Sequence, residues 1–311
     1  MTPREIIRRN LGLSGPARIG MNFSGGRRND FVGAGLGPVA GWEPRRWIEG
    51  GVEYYDDEWG NVWHRLVGRS RGGEIHTPAL RDWADLDGYR MPPLADPARF
   101  AAARERFSGD GASDLYRVGF LPGFPFAICR YLRKMETYFQ DLVWERRHID
   151  RLHGQVTDLL EAMIGQWAEA GADGIMFCED WGVQNRLLIS PRMFRAIYAP
   201  LFGRLCGAAR AGGMDVVMHS CGCVWDILGD LADAGVSAMQ FDQPSIYGLE
   251  RLAERLRALG MALHAPVDIQ QTLPTGDRAR ITHEAQRMVD LFGGAFIAKD
   301  YGDLHGIGVA P

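Results

Sequence analysis

Several things are scarce in this chain, and each scarcity excludes something. Cysteine is rare and odd in number: Cys129, Cys178, Cys206, Cys221 and Cys223 are scattered over 311 residues. That spacing makes no disulfide framework, so reduced thiols are expected, some of them free to meet a metal. No run approaches the ~18 apolar residues needed to span a bilayer, and Met1 to Asn10 reads as neither secretory signal nor membrane anchor. A cytoplasmic protein is the expectation. Excess positive charge is also missing: 35 Lys and Arg against 39 Asp and Glu give a net charge of −4 and a pI near 6.1. Without a basic footprint, nucleic acid and anionic membranes are excluded as main partners. What remains is ordinary globular material, 46% hydrophobic and 24% charged, long enough for one large α/β domain spanning residues 1–311.

The run Val217-Met218-His219-Ser220-Cys221-Gly222-Cys223 stands out. Met214 to Met218 reads as a short buried strand and Trp225 to Ala234 as a helix. An imidazole and one or two thiols therefore sit where a strand should end and a loop begin. Neutral imidazole and thiolate suit zinc, whose sites need three or four such ligands. The pair alone is common by chance, and buried cysteines often serve only as small hydrophobes. The surrounding chain gives it weight.

From about residue 150 onward a unit repeats. Helix Leu152 to Ala170 stops at Gly171, and strand Gly174 to Cys178 ends in Glu179-Asp180. Ser190 then caps a helix with Pro191 at its first position. Helix Met193 to Ala211 leads to His219; helix Val224 to Ala234 and strand Ser237 to Phe241 lead to Asp242-Gln243. Helix Tyr247 to Leu259 and strand Ala262 to Ala265 precede Asp268. Helix Arg278 to Phe292 and strand Ala295 to Ala298 precede Lys299-Asp300. Such alternation predicts a parallel sheet covered on both faces, and its length fits a closed (β/α)8 TIM barrel. Chemistry in that fold collects at the C-terminal ends of the strands. Glu179, His219, Cys221, Asp242, Asp268 and His305 would then converge on one mouth.

The first half is less regular. Arg18 to Phe23 reads as an opening strand, followed by a Gly-rich loop, Ser24 to Asn29, that lacks the strand–GxGxxG–helix context of a dinucleotide site. Glu53 to Arg69 suggests a β-hairpin insertion turned at Gly60-Asn61. An N-terminal helix is expected at Pro3 to Leu11, another at Pro97 to Ser108, and a strand at Tyr116 to Leu121.

These residues resemble the uroporphyrinogen decarboxylase superfamily, and within it the branch of cobalamin-related methyltransferases. The resemblance rests on Gly171-Ala172-Asp173-Gly174, Glu179-Asp180-Trp181-Gly182-Val183-Gln184, Ile189-Ser190-Pro191, His219-Ser220-Cys221-Gly222, Asp242-Gln243-Pro244 and Gly293-Gly294. It covers the second half of the chain well and the first half loosely. It implies a (β/α)8 barrel, as the strand–helix alternation does independently. In the methyltransferase branch zinc is held by His-x-Cys after one strand and by a third ligand, usually Cys, just before a Gly-Ile pair. His219 and Cys221 match the first two positions; His305, before Gly306-Ile307, replaces the usual third Cys. A His–Cys–His set remains acceptable to zinc. Cys223 is a rival second thiol, and Glu179 a displaceable fourth ligand.

The resemblance implies further roles: catalysis for Glu179 and Asp242, and substrate binding for Asn22, Arg27, Gln243 and Asp268. Zinc would act as a Lewis acid, and a methyl group would pass between a corrinoid (cobalamin) on a separate partner protein and a small thiol, tetrahydrofolate or methylated substrate. Two other readings stand beside this one. Authentic uroporphyrinogen decarboxylases bind substrate carboxylates through arginines in an Arg-Gln-Ala-Gly-Arg pattern and need no metal; Asn22 to Arg28 offers only the adjacent pair Arg27-Arg28. A binding member without turnover is the third class. Relatives normally continue into a closing helix after the last strand, whereas this chain reaches Pro311. Either the sequence is truncated there, or the helix at Pro3 to Leu11 or a partner subunit, as in a homodimer, covers the exposed strand.

Overall fold

The computed structural model describes residues 1–68 and 72–309. Residues 310–311 lie outside them, as does Arg69 at the end of the expected hairpin. Twelve strands are present among the described residues: β1 (Gly20–Asn22), β2 (Phe31–Ala34), β3 (Arg46–Glu49), β4 (Val52–Asp56), β5 (Val62–Leu66), β6 (Glu74–Thr77), β7 (Tyr116–Phe120), β8 (Gly174–Cys178), β9 (Asp215–His219), β10 (Ala238–Gln240), β11 (Ala262–Ala265) and β12 (Phe296–Lys299). The helices are α1 (Pro3–Leu11), α2 (Ala101–Ser108), α3 (Pro125–Arg133), α4 (Met135–Trp144), α5 (Arg146–Glu169), α6 (Pro191–Ile197), α7 (Ala199–Ala211), α8 (Leu228–Ala234), α9 (Leu249–Leu259) and α10 (Arg278–Phe292).

Eight strands pair in the order β1-β12-β11-β10-β9-β8-β7-β2, every ladder parallel. The two ends of this sheet meet through an antiparallel bridge between Asn22 and Asn29, where the Asp30 N–H donates to the Met21 carbonyl at 2.8 Å. The architecture is the expected α/β barrel. Its second strand, β2, was not foreseen, because four residues directly behind a Gly-rich loop carry too little pattern. The long helix expected from Met193 is two helices, α6 and α7, parted at Tyr198 where Pro200 enters the first turn of α7. Helix α9 begins at Leu249 rather than Tyr247, since Gly248 takes φ +74. The expected hairpin is the middle of a four-stranded antiparallel sheet, β3-β4-β5-β6.

Strand periodicity places the site. Met176, Val217, Ala238, Ala262 and Ile297 pack together inside the barrel with Tyr116, and Ile7 and Leu11 of α1 join them from the N-terminal end. Side chains two residues further along each strand share that inward face. Those residues are Cys178, His219, Gln240, His264 and Lys299, so an apolar floor is topped by a polar layer at the mouth. Outside, the helices bury the main core against the strands. Met21, Ala298 and Met288 of α10 line an open apolar cavity of about 490 Å³ on the outer surface. Helix α1 plugs the end of the barrel and does not cover that surface.

Candidate metal centre

Two loops build the centre, one after β8 and one after β9. The first is anchored by Trp181, fully buried and stacked on Phe126 at 4.0 Å between ring centroids. The second turns at Gly222, whose φ of +71 suits glycine. Between them the Cys223 N–H donates to the Val183 carbonyl at 2.8 Å, and the Cys221 N–H donates to Asp180 Oδ1 at 2.8 Å.

Among the described residues, the group of histidine, cysteine and carboxylate side chains that could hold a metal ion is Asp180, His219 and Cys221, whose ligand atoms all lie within 4.8 Å of one another. His219 Nε2 stands 3.4 Å from Cys221 Sγ and 3.6 Å from Asp180 Oδ1. Tetrahedral zinc with bonds of about 2.0–2.3 Å separates neighbouring ligand atoms by roughly 3.3–3.6 Å. Both spacing and donor chemistry therefore fit zinc. Burial, with the Asp180 and Asp242 carboxylates, pushes the Cys221 thiol up to about 12. At the end of β8 the Cys178 thiol is raised to about 11, first by the desolvation of its sulfur and then by the Asp180 and Asp242 carboxylates.

Behind His219 runs a polar chain. Its Nδ1 lies 2.5 Å from Gln240 Oε1; Gln240 Nε2 donates to Asp242 Oδ1 at 2.7 Å, and Lys299 Nζ donates to the same oxygen at 3.1 Å. Beside it, His264 Nε2 is 3.3 Å from Asn22 Nδ2, and burial holds the His264 imidazole down at about 3.

The other expected site residues occupy distinct places. Glu179 faces away from the cluster. Its Oε1 accepts from the Phe124 and Ala127 amides at the start of α3, at 2.7 and 2.9 Å, while Oε2 is buried without a partner among the described residues. Burial pushes this carboxyl up to about 8. The Asp268 carboxylate is buried and taken up by three backbone amides, of Ser245, Gln270 and Gln271, at 2.8–3.1 Å. Gln243 precedes the turn Pro244–Tyr247. Arg27 is bound to Asp300 and to the Ser24 carbonyl. Cys223 packs partly against the core. His305 is exposed on the turn His305–Ile307 and stands outside the cluster. Asp180, Gln240, His264 and Lys299 stand at the centre without having been candidate site residues in the sequence.

The model of the uroporphyrinogen decarboxylase (URO-D) family matches residues 68–309. A methyltransferase from Methanosarcina mazei is 19% identical, with a TM-score of 0.58, over 82% of this chain and 71% of its own. A putative sugar phosphate isomerase/epimerase from Anabaena variabilis is 10% identical, with a TM-score of 0.45, over 71% of this chain and 74% of its own. No curated protein matches the chain. Among the described residues, no helix is long and apolar enough to cross a membrane.

Proposed function

Since the chain belongs to the uroporphyrinogen decarboxylase family and gathers an imidazole, a thiol and a carboxylate at its barrel mouth, we propose that it is a zinc-dependent methyltransferase. It exchanges a methyl group between a corrinoid carried by a partner protein and a small thiol, tetrahydrofolate or methylated substrate. The observation that carries this reading is the convergence of Asp180, His219 and Cys221.

His219 would hold the ion through Nε2, Cys221 through Sγ and Asp180 through Oδ1, with Asp180 in the place that the family resemblance offers to His305. Bound zinc supplies Lewis acidity, lowering the pKa of a coordinated thiol or polarising the heteroatom that bears the methyl group. Three protein ligands leave a fourth position for that substrate. Gln240 orients the His219 ring, and Asp242 with Lys299 orients Gln240. Asp242 thus acts behind the reacting atoms. The decarboxylase alternative would rest on Arg27 and Arg28, of which the Arg27 guanidinium is engaged by Asp300 and Ser24.

Metal analysis of protein purified under reducing conditions tests the reading. About one zinc per chain is expected, and His219→Ala and Cys221→Ala should each abolish it. Wild-type protein without zinc would sink the site. Methylcobalamin with candidate thiols or tetrahydrofolate should then lose its methyl group, followed in the visible spectrum; no change with any acceptor would leave a binding protein without turnover.

A further inference from the structure

The imidazole of His219 has polar atoms on both sides that compete for its single proton. On the Nδ1 side is Gln240 Oε1 at 2.5 Å; on the Nε2 side are Cys221 Sγ at 3.4 Å and Asp180 Oδ1 at 3.6 Å. If the proton sat on Nε2, that nitrogen would be an N–H donor facing Cys221 and Asp180, with no lone pair for an ion. If it sits on Nδ1, the lone pair of Nε2 points at Cys221 and Asp180. Which nitrogen carries it depends on which end of the Gln240 amide faces the ring.

That end is fixed by the next residue in the chain. Asp242 Oδ1 lies 2.7 Å from the Gln240 amide, and the Lys299 ammonium donates to the same oxygen. A carboxylate paired with an ammonium only accepts hydrogen bonds. Gln240 must therefore turn its NH2 toward Asp242, which leaves its carbonyl oxygen for His219. A carbonyl oxygen in turn requires Nδ1–H. The proton position at His219 is thus set by Lys299 on β12 through Asp242 and Gln240, across the ends of β9, β10 and β12, with β11 between the last two.

We propose that Gln240 is a positioning residue that holds His219 in the Nδ1–H tautomer, keeping the Nε2 lone pair free for the metal and out of reach of Asp180. The proposal rests on the metal reading for its purpose but not for its geometry. Gln240 is 3% exposed, so the amide has no water-facing alternative to the two partners it contacts. Its burial is otherwise costly, since a buried amide without both partners forfeits the hydrogen bonds that water would give it.

The test uses metal-free, 15N-histidine-labelled full-length protein at a pH where the imidazole is neutral. Long-range proton–nitrogen NMR separates the two tautomers, and His219→Asn identifies the resonance among the eight histidines. Wild type should show Nδ1–H. Gln240→Met keeps the length of the side chain without the hydrogen bonds, and the proton should move to Nε2, facing Asp180. Asp242→Asn offers the amide either orientation and should give a mixture. Competition with a chromophoric chelator then reads Co2+ affinity, expected to fall about 10- to 100-fold in Gln240→Met. An Nε2–H tautomer in wild type overturns the proposal, even if no variant folds. So does a tautomer unchanged in folded Gln240→Met. Wild-type Nδ1–H in a protein that binds neither Co2+ nor zinc supports the positioning role and overturns the metal reading instead.

Discussion

At Gly182 one methyl group decides whether the two loops of the centre can meet. A Cβ there would lie 2.5 Å from the Cys223 nitrogen, and one at Gly222 would lie 2.3 Å from the Gly182 oxygen. Both obstacles are backbone, which cannot swing aside as a side chain would. Gly182→Ala should therefore part the loops, lowering stability by about 1–3 kcal/mol and reducing bound metal together. Thermal unfolding and metal analysis of the same preparation check this; full metal content in a destabilised variant would show that the loops meet without the contact. The residue scale also shows what the sequence held but did not yield. Glu179 and Asp180 are adjacent acids at the end of one strand. Counting in twos along β8 from Met176 through Cys178 reaches Asp180, on the inward face shared with His219 and Cys221. Glu179, one step off, falls on the outer face against α3. The same count from Ala238 reaches Gln240. His219 and Cys221 were legible because their chemistry is rare; Asp180 and Gln240 needed the register, which residue type does not disclose.

Among the elements, α1 is held by charge as well as by its apolar face. Arg4, Arg8 and Arg117 all bond the carboxylate of Asp173, whose side chain is 1% exposed. Burial alone would raise that carboxyl, but hydrogen bonds from Arg4 and Arg117 outweigh it and hold its pKa below the usual aspartate range. A carboxyl depressed in the folded state stabilises the fold above its unfolded pKa, about 3.9, and loses that stabilisation as pH falls through the folded value. Asp173→Asn should cost about 3 kcal/mol at neutral pH and flatten the acid limb of the stability–pH profile below about pH 4. Denaturant unfolding across that range measures both, and an unchanged acid limb would remove Asp173 from the anchoring of α1. Elements with complete end signals were readable to the residue: α1, β8, β11 and α10 lie where the sequence puts them. At α10, Asp277 accepts from the Ala279 and Arg280 amides, the cap that its position promises. Helix α3 went unseen because nearly all of it is buried, including Arg130 and Arg133, so no polar face marks its period. The outer strands β3 and β6 went unseen because the first is wholly exposed and the second buries only Ile75, so neither shows an alternating pattern.

The whole molecule is a barrel whose N-terminal end is stopped by Ile7 and Leu11. Its chemistry therefore has one door. In the proposed reaction a small methyl donor or acceptor and a corrinoid protein must share that door, and the larger of them covers it. Entry then has a compulsory order: the small molecule first, the carrier second, with departure in reverse. A carrier that arrives early blocks its own co-substrate, so excess corrinoid protein should inhibit turnover competitively against the small substrate, whereas free methylcobalamin at equal concentration should inhibit far less. Initial rates over a matrix of both concentrations would show this, and random-order kinetics without inhibition would mean that the small substrate has another route in. In that reaction the stopper at the base of the barrel, far from any reacting atom, would set the sequence of events at its rim.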